Sequence, residues 1–152
     1  MELTIKGFKT FRGHDGNGFN ATLLIDGVPC ADVTDDGWGG GYQYETRRYG
    51  EKGKALLGEL EAWVAEQPEI PFPEAGEGRT LKQDIDCFVC DAVDKAEQDK
   101  RLRRLCKTKT VVQFPDGNTY TWKVPYTPDF KELLLAKGTA PAGSVFLNEQ
   151  YA

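Results

Sequence analysis

The hydrophobic periodicity of this chain changes from strand-like to helix-like near residue 50, and that change limits the fold more than any other feature. Over the first 46 residues, apolar positions are separated by polar residues and by turn signals such as Asp26-Gly27. Over 51–67, the apolar residues recur every three or four positions instead. A block of strands followed by helices predicts an α+β fold with an antiparallel sheet.

The first block predicts a four-stranded antiparallel meander. Alternation breaks at Gly7, where a β-bulge would restore the register of the first strand. The Asp26-Gly27 turn then closes the second strand. The apolar positions of the first strand are Leu3, Ile5, Phe8 and Phe11, and the other three strands are expected at 19–25, 28–34 and 42–46.

Two helices are expected next, joined by a loop over 68–79. The first covers 51–67 and stops before Pro68. The second begins with the capping box of Thr80 and Gln83. Past Ala96 its apolar positions move around the cylinder, so this helix is expected to bend or to pack its last turns against another element.

The last third of the chain predicts a hairpin and a short third helix. The hairpin strands are 108–114 and 119–124, with Tyr120, Trp122 and Val124 on one face and therefore expected in the core. Thr127 caps the helix, with Pro128 at its first position. The sheet would thus be packed by two to three helices, and Val145-Phe146-Leu147 would add an edge strand or dock as a tail.

Length and composition are those of an ordinary globular protein. The 152 residues suit a single α+β domain over 1–152, and no metal, cofactor or disulfide is needed to build its core. With 39% hydrophobic residues, the composition excludes a wholly disordered chain, a coiled coil and a collagen-like repeat.

The compartment is inferred from the start of the chain and from its cysteines. No signal peptide is visible at Met1-Glu2-Leu3-Thr4-Ile5-Lys6, and the longest apolar runs have four residues, so no membrane partner is expected. Four cysteines in such a chain are read as reduced thiols. We therefore expect a cytoplasmic protein.

Charge is unevenly distributed along the sequence. The net charge of −5 combines −9 over residues 1–94 with +4 over 95–152. Such a difference can orient an encounter with a charged partner. It can equally arise from one helix with an acidic start and a basic end.

Two glycine-rich segments form the candidate recognition site. In a meander, residues 12–18 and 35–41 emerge at the same end of the sheet, and loops on a rigid scaffold commonly carry binding residues. An exposed Trp is a frequent interface anchor, although glycine and aspartate are also what plain turns require. The candidate binding residues are Arg12, His14, Asp15, Asn17, Asp35, Asp36 and Trp38.

An enzyme is a weaker alternative at the same place. His14 is the only histidine, so it would have to act as the base, with Asp35 or Asp36 to orient it. No nucleophile elbow, catalytic-cysteine signature or P-loop is present. We therefore assign no catalytic residue.

The Cys87-Phe88-Val89-Cys90 motif is expected inside a helix rather than at its N-terminus. Redox pairs of this type need the helix N-terminus, where the dipole lowers the thiol pKa. A zinc site would need a second ligand pair that the sequence lacks. Packing is the simpler role for these cysteines, and no metal site is assigned.

A basic segment gives a third interpretation, nucleic-acid binding. It covers 95–109, and the aromatic residues of the hairpin follow it. The pI near 5.0 is opposite to the expectation for such proteins, so a solvated helix end is the competing interpretation. The residues concerned are Lys100, Arg103, Arg104 and Lys107.

Three stretches together resemble small uncharacterised proteins encoded by phages and mobile elements. They are Lys9-Thr10-Phe11-Arg12-Gly13 with Gly18-Phe19-Asn20-Ala21-Thr22-Leu23, then Arg104-Leu105-Cys106-Lys107-Thr108-Lys109-Thr110, then Pro125-Tyr126-Thr127-Pro128. The resemblance transfers no catalytic residue and no activity. It implies a bacterial cytosol and an accessory protein that binds host machinery, such as an inhibitor of an antiviral defence.

These observations predict a non-catalytic module that binds a protein partner through the two glycine-rich loops.

Overall fold

The computed structural model describes residues 1–151 of the chain. It divides into two compact units, one covering 1–96 and the other beginning at Glu97. Each unit combines antiparallel strands with helices, so the α+β prediction is confirmed. The expectation of a single domain over 1–152 stays a prediction. Within residues 1–151, no helix is both long and apolar enough to cross a membrane.

A four-stranded antiparallel meander is the framework of the first unit, as predicted. Its strands pair in chain order, and Ile25 pairs with Val28 across the Asp26-Gly27 turn. The bulge is also confirmed, because Gly7 has a φ of +62° where the β1–β2 register shifts. The strands are β1 (Leu3–Arg12), β2 (Asn17–Ile25), β3 (Val28–Asp35) and β4 (Gln43–Glu45).

One face of this sheet carries the core. Helix α1 (Gly50–Ala65) contributes Leu60 and Val64 to it, and confirms the helical pattern of the sequence. Alternate residues of β2 supply the sheet side, and each fully buried Leu, Val or Phe stabilises the fold by about 1.5–3 kcal/mol. The β2 residues in this core are Phe19, Ala21, Leu23 and Ile25.

The segment after α1 corrects one prediction. Strand β5 (Ile70–Pro71), in the predicted loop, pairs with β6 (Thr80–Leu81), which lies where the second helix was expected to begin. Thr80 therefore does not cap a helix, because it lies in a strand and its hydroxyl bonds Glu69. Helix α2 begins later, at Ile85, where the Asp84 carboxylate accepts the Cys87 N–H at 3.1 Å.

Helix α2 (Ile85–Cys106) is continuous, and its two parts belong to different units. Val89 and Val93 lie in the core of the first unit. In the second unit, the Cys106 carbonyl accepts a hydrogen bond from Asn148 at 3.1 Å. The change of apolar stripe past Ala96 thus coincides with a change of packing partners, one of the two expected outcomes.

The second unit contains the predicted hairpin and a third strand. Strands β7 (Thr110–Gln113) and β8 (Thr119–Trp122) pair, helix α3 (Pro128–Ala136) follows, and β9 (Val145–Phe146) pairs on the other side of β7. Thr127 caps α3 as predicted, since its hydroxyl accepts the Phe130 N–H at 3.1 Å. Val145 and Phe146 thus take the edge-strand alternative.

A short helix at the end, α4 (Asn148–Tyr151), was not predicted. It begins at Asn148, whose side chain is 2% exposed and fully hydrogen-bonded. Its carbonyl oxygen accepts the Val111 N–H at 2.8 Å, and its amide donates to the carbonyls of Cys106 and Lys109 at 3.1 and 2.8 Å. This one side chain therefore joins the end of α2, β7 and the C-terminal segment.

Candidate functional site

The loops 12–18 and 35–41 lie against each other at one end of the sheet, as strand alternation requires. The Asp15 N–H crosses between them to the Gly37 carbonyl at 2.8 Å. Within the first loop, the Gly13 N–H donates to the Gly16 carbonyl at 2.6 Å. We refer to this pair of segments as the paired loops.

Glycine permits this close approach. A Cβ on Gly13 would lie 2.6 Å from the Gly37 Cα and 2.9 Å from the Asp36 carbonyl oxygen. A Cβ on Gly18 would collide with the Asp35 carbonyl oxygen and with the Phe11 ring. Non-bonded carbon atoms prefer separations of about 3.5–4.0 Å, so side chains at these positions would push the loops apart.

An aromatic stack stands at the tip of the paired loops. The His14 imidazole lies 4.6 Å from the Trp38 indole, centroid to centroid, with an interplanar angle of 18°. Trp38 is 62% exposed, so the stack leaves most of the indole open to solvent. Large aromatic side chains that are exposed and supported by a neighbouring ring are well suited to anchor an interface.

The two aspartates of the second loop hold its backbone. The Asp35 carboxylate accepts the Gly37 N–H at 2.9 Å, and the Asp36 carboxylate accepts the Trp38 N–H at the same distance. These bonds fix the chain immediately around the indole. The residues predicted as a site are thus partly the scaffold that presents Trp38.

The remaining predicted residues surround the stack. Arg12 and Asn17 are opposite each other in the last β1–β2 pair, and both are exposed. Asp15 is exposed beside the backbone bond that joins the loops. The surface around Trp38 therefore carries both signs of charge.

Phe11 belongs to this surface, although it was read from the sequence only as a strand residue. It pairs with Gly18, and its ring fills the space that a side chain at Gly18 would need. It is 38% exposed. The signal was present in the sequence, because Phe11 follows Phe8 by three positions and an odd spacing puts the two rings on opposite faces.

Asp86, at the start of α2, anchors the far end of the second loop. Its carboxylate accepts the Tyr42 N–H at 2.8 Å and the Tyr44 hydroxyl at 2.7 Å. Burial, followed by the bond to Asp86, raises the pKa of Tyr44, so this hydroxyl remains a donor. Burial and a hydrogen bond with Cys90 raise the pKa of Tyr42 in the same way. Sequence reasoning missed Asp86 because its partners are 42 and 44 positions away.

The enzyme alternative gains no support from the geometry of His14. Its imidazole stacks on the Trp38 ring, and within residues 1–151 no hydrogen bond joins it to Asp35 or Asp36. General-base catalysis needs the base within hydrogen-bond reach of its orienting group or its nucleophile. An enzyme site at these three residues stays a prediction.

The two cysteines of the C-x-x-C motif are free thiols in the first two turns of α2. The prediction that they lie well inside the helix is therefore wrong, because the helix begins at Ile85 and not after Thr80. A hydrogen bond from the Asp84 backbone to the Cys87 thiol lowers the pKa of that thiol, but burial and the Asp84 side chain outweigh it and raise the pKa overall. The Cys90 thiol lies 3.9 Å from an Asp94 carboxylate oxygen. Among residues 1–151, no three His, Cys, Asp or Glu side chains are grouped to hold a metal ion.

The basic segment is less uniform than its sequence indicates. Arg103 lies over the Tyr151 ring at 5.4 Å, and the Tyr151 hydroxyl bonds Asp99 at 2.7 Å. Arg103 therefore helps to fasten the end of the chain. Arg104 and Lys107 are exposed, as is Lys100.

The hairpin aromatics correct another expectation. Tyr120 and Val124 are 43% and 42% exposed, so these two are not core residues, whereas Trp122 is half-buried. The cause is the position of β8 at the edge of its sheet. Phe114 packs against the Tyr120 ring, with centroids 4.3 Å apart.

Comparisons with known proteins add no relative. No family model, no curated protein and no solved structure matches the chain.

Proposed function

We propose that this protein is a non-catalytic binding module that recognises a protein partner through the paired loops. The observation that carries the proposal is the exposed indole of Trp38, which stacks on His14 and whose backbone N–H is held by the Asp36 carboxylate. Aromatic anchors that are ordered before the encounter lose little conformational entropy on binding. Phe11 extends the apolar part of this surface, and Arg12 and Asp15 give it a polar rim.

The charge of the first unit supports a basic partner surface. Residues 1–96 contain eighteen acidic and ten basic residues, a net charge of −8. Complementary charge accelerates association and rejects acidic competitors. A basic protein surface, including one that normally binds nucleic acid, fits this description.

The resemblance to small phage proteins specifies the setting of this proposal. It would imply a bacterial cytoplasm for the module, and its partner would then be a component of an antiviral defence. An inhibitor of this kind needs only to cover a surface, so no catalytic group is required of it.

Capture of a partner from bacterial cytosol tests the proposed function. The tagged full chain is compared with the double variant Trp38→Ala and Arg12→Ala, and with Ile70→Ala. Ile70 is a suitable control because it is an exposed apolar residue of the same unit outside the paired loops. We expect the double variant to lose its specific partner and Ile70→Ala to retain it. Unchanged capture by the double variant would remove the paired loops from the function.

Nucleic-acid binding by the basic segment is the competing proposal. A gel shift that weakens steeply with added salt, and that is reduced in Arg104→Ala with Lys107→Ala, would support it. These two residues are chosen because Arg103 is already engaged with Tyr151. Absence of a shift at low salt would end this alternative.

A further inference from the structure

Strand β8 has an unpaired edge in the second unit. Within residues 1–151 the strand order is β8-β7-β9, so β8 pairs with another strand on one side only. An edge of this kind presents backbone N–H and C=O groups to which another strand can add.

The register identifies which backbone groups face outward. The Phe114 N–H donates to the Asn118 carbonyl at 2.9 Å, and the Gly117 N–H donates to the Phe114 carbonyl at the same distance. The β7–β8 pairing continues from that turn with no shift. Because hydrogen-bonded pairs alternate along an antiparallel ladder, Tyr120 and Trp122 bond inward to β7. The N–H and C=O groups of Thr119 and Thr121 therefore point away from the sheet.

The edges of β1, β4 and β9 are protected against strand addition, and the edge of β8 is not. Strand β1 is interrupted by its bulge and carries Lys6 and Lys9, which discourage strand addition. Strand β4 has three residues, two of them polar or charged, and β9 has only two residues. Residues 119–122 contain no proline, charge or bulge.

Side chains beside this edge offer an apolar contact surface. Tyr120 is exposed and packs on Phe114, and the Trp122 ring centroid lies 6.4 Å from that of Phe114. Side chains at alternate positions of an added strand would meet these rings, since cross-strand neighbours share a face.

Charge indicates the kind of strand that fits. The last residues paired between β7 and β8 are Thr110 and Trp122. Lys109 comes directly before Thr110, and Lys123 comes directly after Trp122. The second unit contains nine basic and six acidic residues, a net charge of +3. An extended segment with acidic residues near the Trp122 end complements these lysines.

We propose that the β8 edge binds an extended segment of another protein by strand addition, with alternate apolar residues against Tyr120 and Trp122 and acidic residues beside Lys123. This surface belongs to the second unit, whereas the paired loops belong to the first, and the proposal does not depend on the function proposed for the loops.

Selection of short random peptides on the full chain tests this inference. We expect enriched peptides to alternate apolar residues and to carry acidic ones. Proline is tolerated on edge strands, and Thr121→Pro removes one outward N–H. We therefore expect this substitution to weaken the binding of such peptides about tenfold. Lys123→Glu should weaken them comparably, whereas the control Lys137→Glu, on the same unit, should not.

Hydrogen exchange of the wild-type protein gives a second measurement that needs no variant. Bound peptide should slow exchange at the Thr119 and Thr121 amides, and this readout holds even if Thr121→Pro fails to fold. The proposal is overturned if no alternating peptide is enriched, or if these amides are not protected. It is also overturned if the purified chain self-associates in sedimentation and Thr121→Pro abolishes that association, because the occupant is then a second copy.

Discussion

Replacing Gly13 by alanine should separate the paired loops at a cost that the matched variant Gly40→Ala does not share. The new methyl would lie 2.6 Å from the Gly37 Cα, about 1 Å inside the preferred contact distance. Gly40 has nothing within 4 Å of its Cβ position, and neither glycine has a positive φ. Both alanine substitutions lower the conformational entropy of the unfolded chain to a similar extent. The difference between their free energies of unfolding therefore reports the contact of the new methyl with Gly37. Overpacking of this kind costs about 1–3 kcal/mol, and we expect Gly13→Ala to be less stable than Gly40→Ala by about 2 kcal/mol.

Urea unfolding of both variants measures the difference in the free energy of unfolding. NMR of the imidazole provides a direct readout of the loops, because His14 is the only histidine and the indole ring current shifts its protons. We expect those shifts to move toward free-histidine values in Gly13→Ala and to stay unchanged in Gly40→Ala. Equal stability together with unchanged imidazole shifts in the two variants would refute the contact argument.

Three further outcomes are expected. Asn148→Ala leaves a buried N–H and two carbonyls without their partner, so unfolding should require about 3 kcal/mol less, while the exposed control Gln150→Ala should stay near wild type. Hydrogen bonds from Lys131 and Tyr126 lower the pKa of Glu149, so its contribution to stability is present above its ordinary pKa and is lost as the pH falls through the lowered value. Glu149→Gln should therefore reduce the acid dependence of the urea midpoint. Burial raises the pKa of Cys30 to about 11, so at neutral pH its thiol should react with a soluble disulfide reagent more slowly than the other three.

Local sequence rules correctly predicted those elements that depend only on their own residues. The meander, its bulge and the Thr127 cap follow from alternation and from turn and capping chemistry. The start of α2 did not follow, because Thr80 matches the capping-box pattern but lies in a strand, and the helix begins after Asp84 instead. Pairing of Thr80 with Pro71 decided between them, and that contact joins segments nine positions apart.

The candidate site could also be predicted only in part from the sequence. Strand direction alone places the two loops together, and composition marks Trp38 within them. The stack with His14 was not accessible, since it depends on the backbone approach of Gly13 to Gly37. The exposure of Tyr120 was missed for a related reason. Alternation predicts which face of a strand a residue occupies, but it does not predict that β8 lies at the edge of its sheet, where that face is left uncovered.

The bonds from Asp86 to Tyr42 and Tyr44 have a consequence for affinity. They restrain the end of the second loop during folding, so less motion remains to be lost when a partner arrives. A substitution at Asp86 would then slow or weaken association without removing any atom that the partner touches. The affinity for a partner at Trp38 would therefore depend on a residue that the partner does not contact.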